Sequence, residues 1–260
     1  MKQKPVSSSA LFVLFVVLVG GLFHLSKLLN FNEPELVFFD WVWPHQEVKN
    51  EYLDEFEYCH RWVKKCHVSG PRFLVGTFEK TGQYVPHLSV QDTFNRKESI
   101  GLVWRLEALI APYLVAREMK SALTFFSDSK VPVEYLVVDY DSPSKGLYAY
   151  AEWIDLLHSE QIQLPVSVTG LVSWLQDNPE GFEVLLGAAE AVSVQLYQGS
   201  ERVDLSDDLV LAIESYNNVH ISLYCPDTGL LDYLLGKVSI SRTLNIGIFD
   251  GSGCSNLLKQ

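Results

Sequence analysis

Eight short apolar runs, separated mostly by helical patterns, constrain the fold of this chain more than any other feature of its sequence. Successive runs begin about 25 to 37 residues apart, which is the spacing of a repeated strand-and-helix unit. Eight parallel strands joined by such crossovers predict a compact (β/α)8 barrel of the TIM type over residues 35–260. The predicted strands are Glu35–Trp43, Arg72–Glu79, Ser99–Leu106, Val133–Asp141, Leu164–Gly170, Ala191–Tyr197, Val219–Cys225 and Thr243–Asp250.

The connections fit this barrel with two irregularities. The second connection, Lys80–Glu98, is polar and has no clean helical period, so it predicts a loop or a very short helix. Few residues follow the eighth strand, so the barrel is expected to lack its closing helix. An open, doubly wound sheet is the alternative, but no Gly-x-Gly-x-x-Gly follows the first strand, which disfavours a dinucleotide-binding domain. The predicted helices are Glu47–Lys65, Leu109–Ser127, Tyr148–His158, Gly181–Ala189, Asp207–Asn217 and Leu230–Lys237.

The N-terminus has the pattern of an export signal. Lys2 and Lys4 give it a positive start, and about 14 apolar residues follow Ser9. Residues 7–29 are long enough to span a thin bilayer, and no small-x-small cleavage site follows them. An uncleaved signal anchor is therefore predicted, with a cleaved signal peptide as the alternative. Residues 1–6 would be the cytoplasmic n-region, residues 30–34 a linker, and the barrel would lie on the periplasmic side of the inner membrane.

Charge and cysteine content exclude some classes of partner. The net charge of −12 argues against nucleic acid and against anionic membrane surfaces. An exported chain can oxidise its cysteines, and Cys225 and Cys254 each follow an apolar strand that would neighbour the other. A Cys225–Cys254 disulfide is therefore predicted, with reduced thiols as the alternative. Neither a Cys/His run with zinc spacing nor a cofactor motif is present in the sequence, so no metal and no cofactor is predicted.

The fourth predicted strand ends in two aspartates, Asp139 and Asp141, which a strand period of two places on one face. In a barrel, the carboxyl ends of the strands carry the functional face. The two residues would be about 6.6 Å apart along the strand, within the range of separations that glycoside hydrolysis uses. Asp141 also precedes Ser142 and Pro143, a good helix start, so a helix-cap role is its alternative.

Other strand ends add acids, amides and aromatic rings to the same cleft. This combination suits a saccharide, because aromatic faces stack on sugar rings and carboxylates accept hydrogen bonds from hydroxyl groups. Arg105 is expected either to hold one aspartate ionised while the other stays protonated or to form a structural ion pair. The tryptophans have core or rim packing as their alternative. The candidate catalytic residues are Asp139, Asp141, Glu79, Glu107 and Asp250. The candidate ligand-binding residues are Asp40, Trp41, Trp43, Arg105, Thr169, Trp174, Gln195, Tyr197 and Tyr224.

Several segments resemble an uncharacterised family of exported bacterial proteins, domain of unknown function three-one-four-two. They are Asp139–Pro143, Tyr150–Ile154 and Leu164–Leu175, and Val194–Tyr197 is similar to the sixth-strand pattern of that family. The resemblance covers about residues 35–250. It implies an exported, glycosidase-like barrel, and it implies no catalytic assignment.

The Asp-x-Asp is also similar to the strand-four motif of family-eighteen chitinases, Asp-x-x-Asp-x-Asp-x-Glu. When Asp139 and Asp141 are aligned with its last two aspartates, Pro143 stands at the acid position and Leu136 at the first aspartate. This departure removes the proton donor, so substrate-assisted hydrolysis is not expected from this motif. Any catalytic acid would have to come from another strand.

These observations predict an exported, membrane-anchored barrel that binds, or binds and hydrolyses, a saccharide or cell-envelope glycan. The alternative is a non-catalytic glycan-binding or envelope scaffold protein that uses the same cleft. The two hypotheses differ in one geometric requirement. Hydrolysis needs two carboxyl groups about 5 to 9.5 Å apart with open space between them.

Overall fold

A computed structural model describes residues 35–43, 65–87, 99–198, 201–224, 228–237 and 244–249. The strands in these ranges are β1 (Glu35–Val42), β2 (Lys65–Val68), β3 (Arg72–Phe78), β4 (Tyr84–Pro86), β5 (Ile100–Leu106), β6 (Val133–Asp139), β7 (Val166–Leu171), β8 (Val192–Gln195), β9 (Tyr197–Gln198), β10 (Glu201–Arg202), β11 (Val219–Tyr224) and β12 (Leu244–Phe249). The helices are α1 (Pro112–Asp128), α2 (Leu147–Ser159), α3 (Val172–Asp177), α4 (Pro179–Ala188), α5 (Asp207–Ser215) and α6 (Thr228–Lys237).

Eight of these strands close into a parallel barrel. Around the ring β1 is followed by β12, β11, β8, β7, β6, β5 and β3, and β3 pairs back to β1. Every pairing in the ring is parallel. The predicted (β/α)8 barrel is confirmed, and each predicted strand matches one barrel strand to within two residues at either end.

The joint between the first and second barrel positions is irregular. β2 pairs with the first half of β1, Glu35–Phe38. On the same edge of β1, β3 pairs with two residues, Trp41 and Val42. The chain between β2 and β3 passes so close to β5 that a Cβ on Gly70 would meet the carbonyl oxygen of Ser99. One edge of β1 is therefore shared between two short strands.

The structure adds short elements that the sequence patterns did not predict. β4 forms an antiparallel hairpin with β3 inside the connection predicted as a loop, and Pro86 ends it. β9 and β10 form a small ribbon after β8, and α3 follows β7 directly. The helix predicted over Glu47–Lys65 lies outside the described residues except for Lys65, which begins β2.

Side chains on the two faces of the barrel wall belong to two separate apolar clusters. The larger cluster packs between the wall and the helices and includes Trp104, Tyr150, Trp174 and Phe182. The smaller one fills the lumen with Phe39, Trp41, Leu74, Val103 and Val137. The lumen also holds buried polar side chains, so it is a mixed interior: Arg72, Asp139, Ser167, Thr169, Ser193 and Ser222.

The indole of Trp41 crosses the lumen. Its Nε1–H donates to Ser222 Oγ at 3.2 Å, and Ser222 Oγ lies 2.9 Å from Ser193 Oγ. The absence of a side chain at Gly247 makes room for this arrangement, because a Cβ there would meet both the Trp41 indole and the Phe39 ring. Gly247 therefore sets how far the aromatic rings can enter the barrel.

Several sequence-based predictions fall on residues outside the described ranges. They are the signal anchor at residues 7–29, the Cys225–Cys254 disulfide and the missing closing helix after residue 250. These stay predictions. Among the described helices, none has both the length and the apolar character needed to cross a membrane.

Candidate functional site

A pocket of about 320 Å³ opens where the barrel strands end at their carboxyl termini. This volume includes the space at the mouth that is open to solvent. Its wall combines a few polar groups with a larger apolar and aromatic surface. The lining residues are Trp41, Val42, Trp43, Arg72, Leu74, Val103, Asp139, Thr169, Gln195, Tyr197 and Phe249.

The carboxylate of Asp139 is the most heavily bonded group in this pocket. Thr169 donates its hydroxyl to Oδ1 at 2.6 Å, and Arg105 Nη1 donates to Oδ2 at 3.2 Å. The same guanidinium reaches Asp141 Oδ2 from Nη2 at 3.3 Å. Arg105 therefore bridges both aspartates, one buried in the lumen and the other with 49% of its side chain exposed.

Burial raises the pKa of Asp139 above its usual range. The positive charge of Arg105 and the hydrogen bond from Thr169 act in the opposite direction and offset part of the increase, while the charge of Asp141 adds to it. The carboxyl group therefore holds its proton more tightly in the folded barrel than in the unfolded chain. This makes Asp139 the natural probe for the electrostatics of the pocket.

Asp139→Asn is expected to change how stability depends on pH. Because the folded-state pKa of Asp139 is raised, its contribution to the free energy of unfolding is fully present below its ordinary pKa of 3.8 and is lost as the pH rises through the folded-state pKa. Asn has no proton to lose. The unfolding free energy of the variant, relative to that of the wild type, should therefore increase as the pH is raised from about 3.5 to about 7.

Urea unfolding of both proteins across that pH range measures this difference. Asp155→Asn, an exposed position on α2, provides the matched control and should keep the pH profile of the wild type. A profile for Asp139→Asn that parallels the wild type throughout would contradict the effect of burial on this carboxyl group.

Aromatic rings form part of the pocket wall. Tyr197 stacks on Phe249 with ring centroids 6.1 Å apart, and Tyr224 supports both rings at 5.6 and 5.7 Å. Trp43 meets the edge of Phe249 at 5.6 Å, and the Arg105 guanidinium lies 5.7 Å from the Trp43 ring. The result is a continuous aromatic surface along part of the pocket wall.

The structure brings together most of the predicted ligand-binding residues. Trp41, Trp43, Thr169, Gln195 and Tyr197 line the pocket. Arg105 and Tyr224 contact the lining from behind through the ion pair and the ring contacts. Asp40 belongs to β1, but its side chain is outside the described part of the structure. The whole of Asp250 lies outside the described residues.

Trp174 is corrected by the structure, which places it outside the barrel wall. It is fully buried between the sheet and the helices, where Nε1–H donates to the Ser142 carbonyl at 2.7 Å and the ring meets Tyr150 edge-on at 6.2 Å. Gly170 provides the space, since a Cβ there would crowd the indole. The residue follows β7 at helical spacing, and its side chain therefore faces away from the lumen.

The two glutamates predicted as catalytic candidates lie away from the pocket. Glu107 is exposed and accepts a hydrogen bond from the backbone N–H of Lys80 at 3.3 Å. Glu79 closes the β3–β4 turn through its backbone, which accepts from Gly82 and donates to Gln83. Both residues follow the last lumen position of their strands and turn with the loop. Neither lines the pocket with Asp139.

The helix start predicted at Ser142 also differs from the structure. A 3-10 turn over Ser144–Gly146 comes first, and α2 begins at Leu147. Ser142 donates its hydroxyl to the Pro143 carbonyl at 3.1 Å and caps no helix. Because Asp141 pairs with Arg105, its side chain belongs to the pocket rim.

Of the five lining residues that were not predicted from the sequence, three are aliphatic, Val42, Leu74 and Val103, and the other two are Arg72 and Phe249. For both residues, the alternation of side chains along a strand indicates that the side chain faces the lumen. Phe249 alternates with Gly247 on the lumen face of β12, and Arg72 alternates with Leu74 on β3. Phe249 was missed because it is an apolar residue at a strand end, where polar residues were the candidates. Arg72 was missed because it stands at the start of an apolar strand. Within the described ranges, no group of three or more His, Cys, Asp or Glu side chains is placed to hold a metal ion.

No known family model and no curated protein matches the sequence, so the resemblance to the uncharacterised family rests on its motifs alone. The chain is similar to the spore cortex-lytic enzyme SleL of Bacillus cereus, with 10% identity and a TM-score of 0.46 over 74% of this chain and 52% of that one. It is also similar to the catalytic domain of a family GH18 chitinase from the fern Peteris ryukyuensis, with 12% identity and a TM-score of 0.45 over 86% of this chain and 100% of that one. The chain thus spans about half the length of the cortex-lytic enzyme. At this level, neither similarity identifies a family or an activity for the chain.

Proposed function

We propose that the barrel binds a saccharide in the pocket at its carboxyl-terminal mouth. The observation that supports this most directly is that one pocket is lined both by aromatic rings (Trp43, Tyr197 and Phe249) and by the polar side chains of Asp139 and Gln195. Sugar rings have apolar faces and hydroxyl edges, so they can contact aromatic and polar lining residues at once. For a chain exported as its N-terminal sequence predicts, the proposed saccharide is a cell-envelope glycan.

Binding without hydrolysis is the better-supported form of this proposal. Among the described residues, Asp139 is the one carboxylate that lines the pocket, and both of its oxygens are engaged by Thr169 and Arg105. Arg105 bridges Asp139 to Asp141, so the space between these two carboxylates is occupied. A glycosidase pair instead needs open space for a sugar and its attacking group.

Tyr197→Ala is expected to weaken saccharide binding about tenfold, because loss of one stacking face removes on the order of 1 kcal/mol or more. Tyr197→Phe keeps that face and should retain most of the affinity. Titration of the intact protein with a panel of envelope and capsular oligosaccharides, followed by the fluorescence of the pocket tryptophans, measures both effects.

Tyr113→Ala is the matched control for this experiment. The residue is exposed on α1 and lies outside the pocket lining, so its removal should leave binding unchanged. Equal loss of affinity in both alanine variants, or binding that no pocket substitution alters, would contradict the proposed site. Release of reducing ends by the wild type that Asp139→Asn abolishes would replace the binding function with a hydrolytic one.

A further inference from the structure

The floor of the pocket contains a second arginine, whose surroundings differ sharply from those of Arg105. Arg72 is the first residue of β3, paired in register with Trp41 on one side and Gly101 on the other. Only 2% of the residue is exposed, and it lines the pocket. A Cβ on Gly101 would meet the Arg72 side chain at 2.8 Å, so the strand beside it leaves room for the arginine.

Two of the three guanidinium nitrogens of Arg72 are buried without hydrogen-bond partners. Nε and Nη1 have none in the described structure. The guanidinium instead lies 3.5 Å from the centroid of the Phe39 ring, with Trp41 at 5.3 Å and Tyr135 at 5.2 Å. Aromatic faces attract the positive charge and fix the plane of the group, but they do not accept its in-plane N–H bonds.

The cost of this arrangement appears in the ionisation of the group. Burial lowers the pKa of Arg72 to about 9, so the side chain is still cationic at neutral pH but is poorly compensated. A buried ion without a counter-charge is disfavoured unless something else pairs with it. Arg105, the other arginine beside this pocket, has two aspartates. Arg72 has no ion-pair contact with a described carboxylate.

We propose that the floor of the pocket is a carboxylate subsite, where Arg72 pairs with the acidic group of a bound saccharide. This inference rests on the proposed saccharide function and narrows it to an acidic sugar. A planar carboxylate matches the fork of N–H donors on a guanidinium. With Phe39 against the face of the guanidinium, pairing is directed to its edge. The aromatic wall above would then contact the sugar ring while the acid reaches the floor.

The test compares D-glucuronate with D-glucose, which differ at one carbon. Binding to the intact wild-type protein is measured by titration followed by NMR. We expect glucuronate to bind at least about tenfold more tightly than glucose, because only the acid completes an ion pair. Arg72→Met should remove this preference, so that the variant binds the two sugars with equal affinity. Arg117→Met, an exposed arginine on α1 that pairs with Glu118, is the matched control and should keep the preference.

The wild-type comparison alone can overturn the proposal, so it does not depend on how well the Arg72 variant folds. Equal affinity for the two sugars contradicts the subsite, as does a preference that persists in a folded Arg72→Met protein. Inorganic phosphate that competes as strongly as glucuronate, through Arg72, contradicts the assignment to a carboxylate.

Two further outcomes separate this inference from the function on which it rests. Binding of neutral oligosaccharides that Tyr197→Ala weakens, without any preference for an acid, leaves the saccharide function standing and removes the subsite. If acetate binds through Arg72 but no sugar binds, the anion subsite is supported and the saccharide function is contradicted.

Discussion

Gly247→Ala is expected to lower the free energy of unfolding by about 1 to 3 kcal/mol, the usual effect of overpacking a well-filled interior. A Cβ at this position would occupy space now taken by the Trp41 indole and the Phe39 ring. Both rings are stiff, and the Trp41 indole is also held by its hydrogen bond to Ser222. Denaturant unfolding of the variant measures the loss. Because Phe39 contacts Arg72, the affinity of the pocket for sugars should also fall, as titration would measure.

Gly187→Ala provides the matched control for this substitution. Gly187 is an exposed glycine of α4, and an added Cβ would meet nothing within 4 Å apart from its chain neighbours and the backbone of its own helix, so alanine should stabilise the helix by about 0.5 to 1 kcal/mol. The same chemical change is thus expected to act with opposite signs at the two positions. A Gly247→Ala protein as stable as the wild type would show that the lumen is looser than the structure describes.

Thr169→Val has the second large expected effect, a loss of about 1 to 3 kcal/mol in unfolding free energy at neutral pH. The substitution keeps the shape of the side chain but removes the hydroxyl that donates to Asp139 Oδ1 at 2.6 Å. A buried carboxylate oxygen is then left without its closest donor. The loss should shrink below the unfolded pKa of Asp139, 3.8, where the carboxyl group is neutral in both states.

Thr124→Val controls for the loss of a hydroxyl group as such. Thr124 is exposed on α1, where its hydroxyl donates to the Lys120 carbonyl at 2.9 Å, and its replacement should change stability by less than about 0.5 kcal/mol. Guanidinium unfolding of both variants at neutral and acidic pH measures the two effects. If Thr169→Val costs no more than Thr124→Val at either pH, the hydrogen bond to Asp139 does not hold the pocket together.

The fold was predictable from the sequence because parallel barrel strands are buried on both faces and therefore form apolar runs. All eight runs became barrel strands, and the shared parity of Asp139 with its lumen neighbours followed from the period of two. Short strands such as β4 and β10 do not contain such an apolar run, so this pattern could not predict them. Their formation depends on partners from the fold rather than on their own composition.

The site was predictable in part, and its errors have one physical origin. Residues inside a strand, such as Thr169 and Gln195, were placed correctly because the pleat fixes their direction. Residues beyond a strand end, such as Trp174 and Glu107, were not, because the chain changes its period there and the side chain rotates away. Arg72 was missed because a charged residue at the start of an apolar strand usually marks a solvated edge.

The joint at β1 has a consequence for the order in which the barrel is assembled. Leu36 is in register with Leu244, about 200 residues later in the chain, and on its other edge β1 meets β3 only at Trp41 and Val42. Closure must therefore wait for the last strand, and the β3 side of the joint has the shortest ladder to hold it. Amide protons of Trp41 and its neighbours should exchange with deuterated solvent before those of β5 and β6, which pair along most of their length. Transient opening at this joint would be a second route, through the wall rather than the mouth, by which water reaches the buried guanidinium of Arg72.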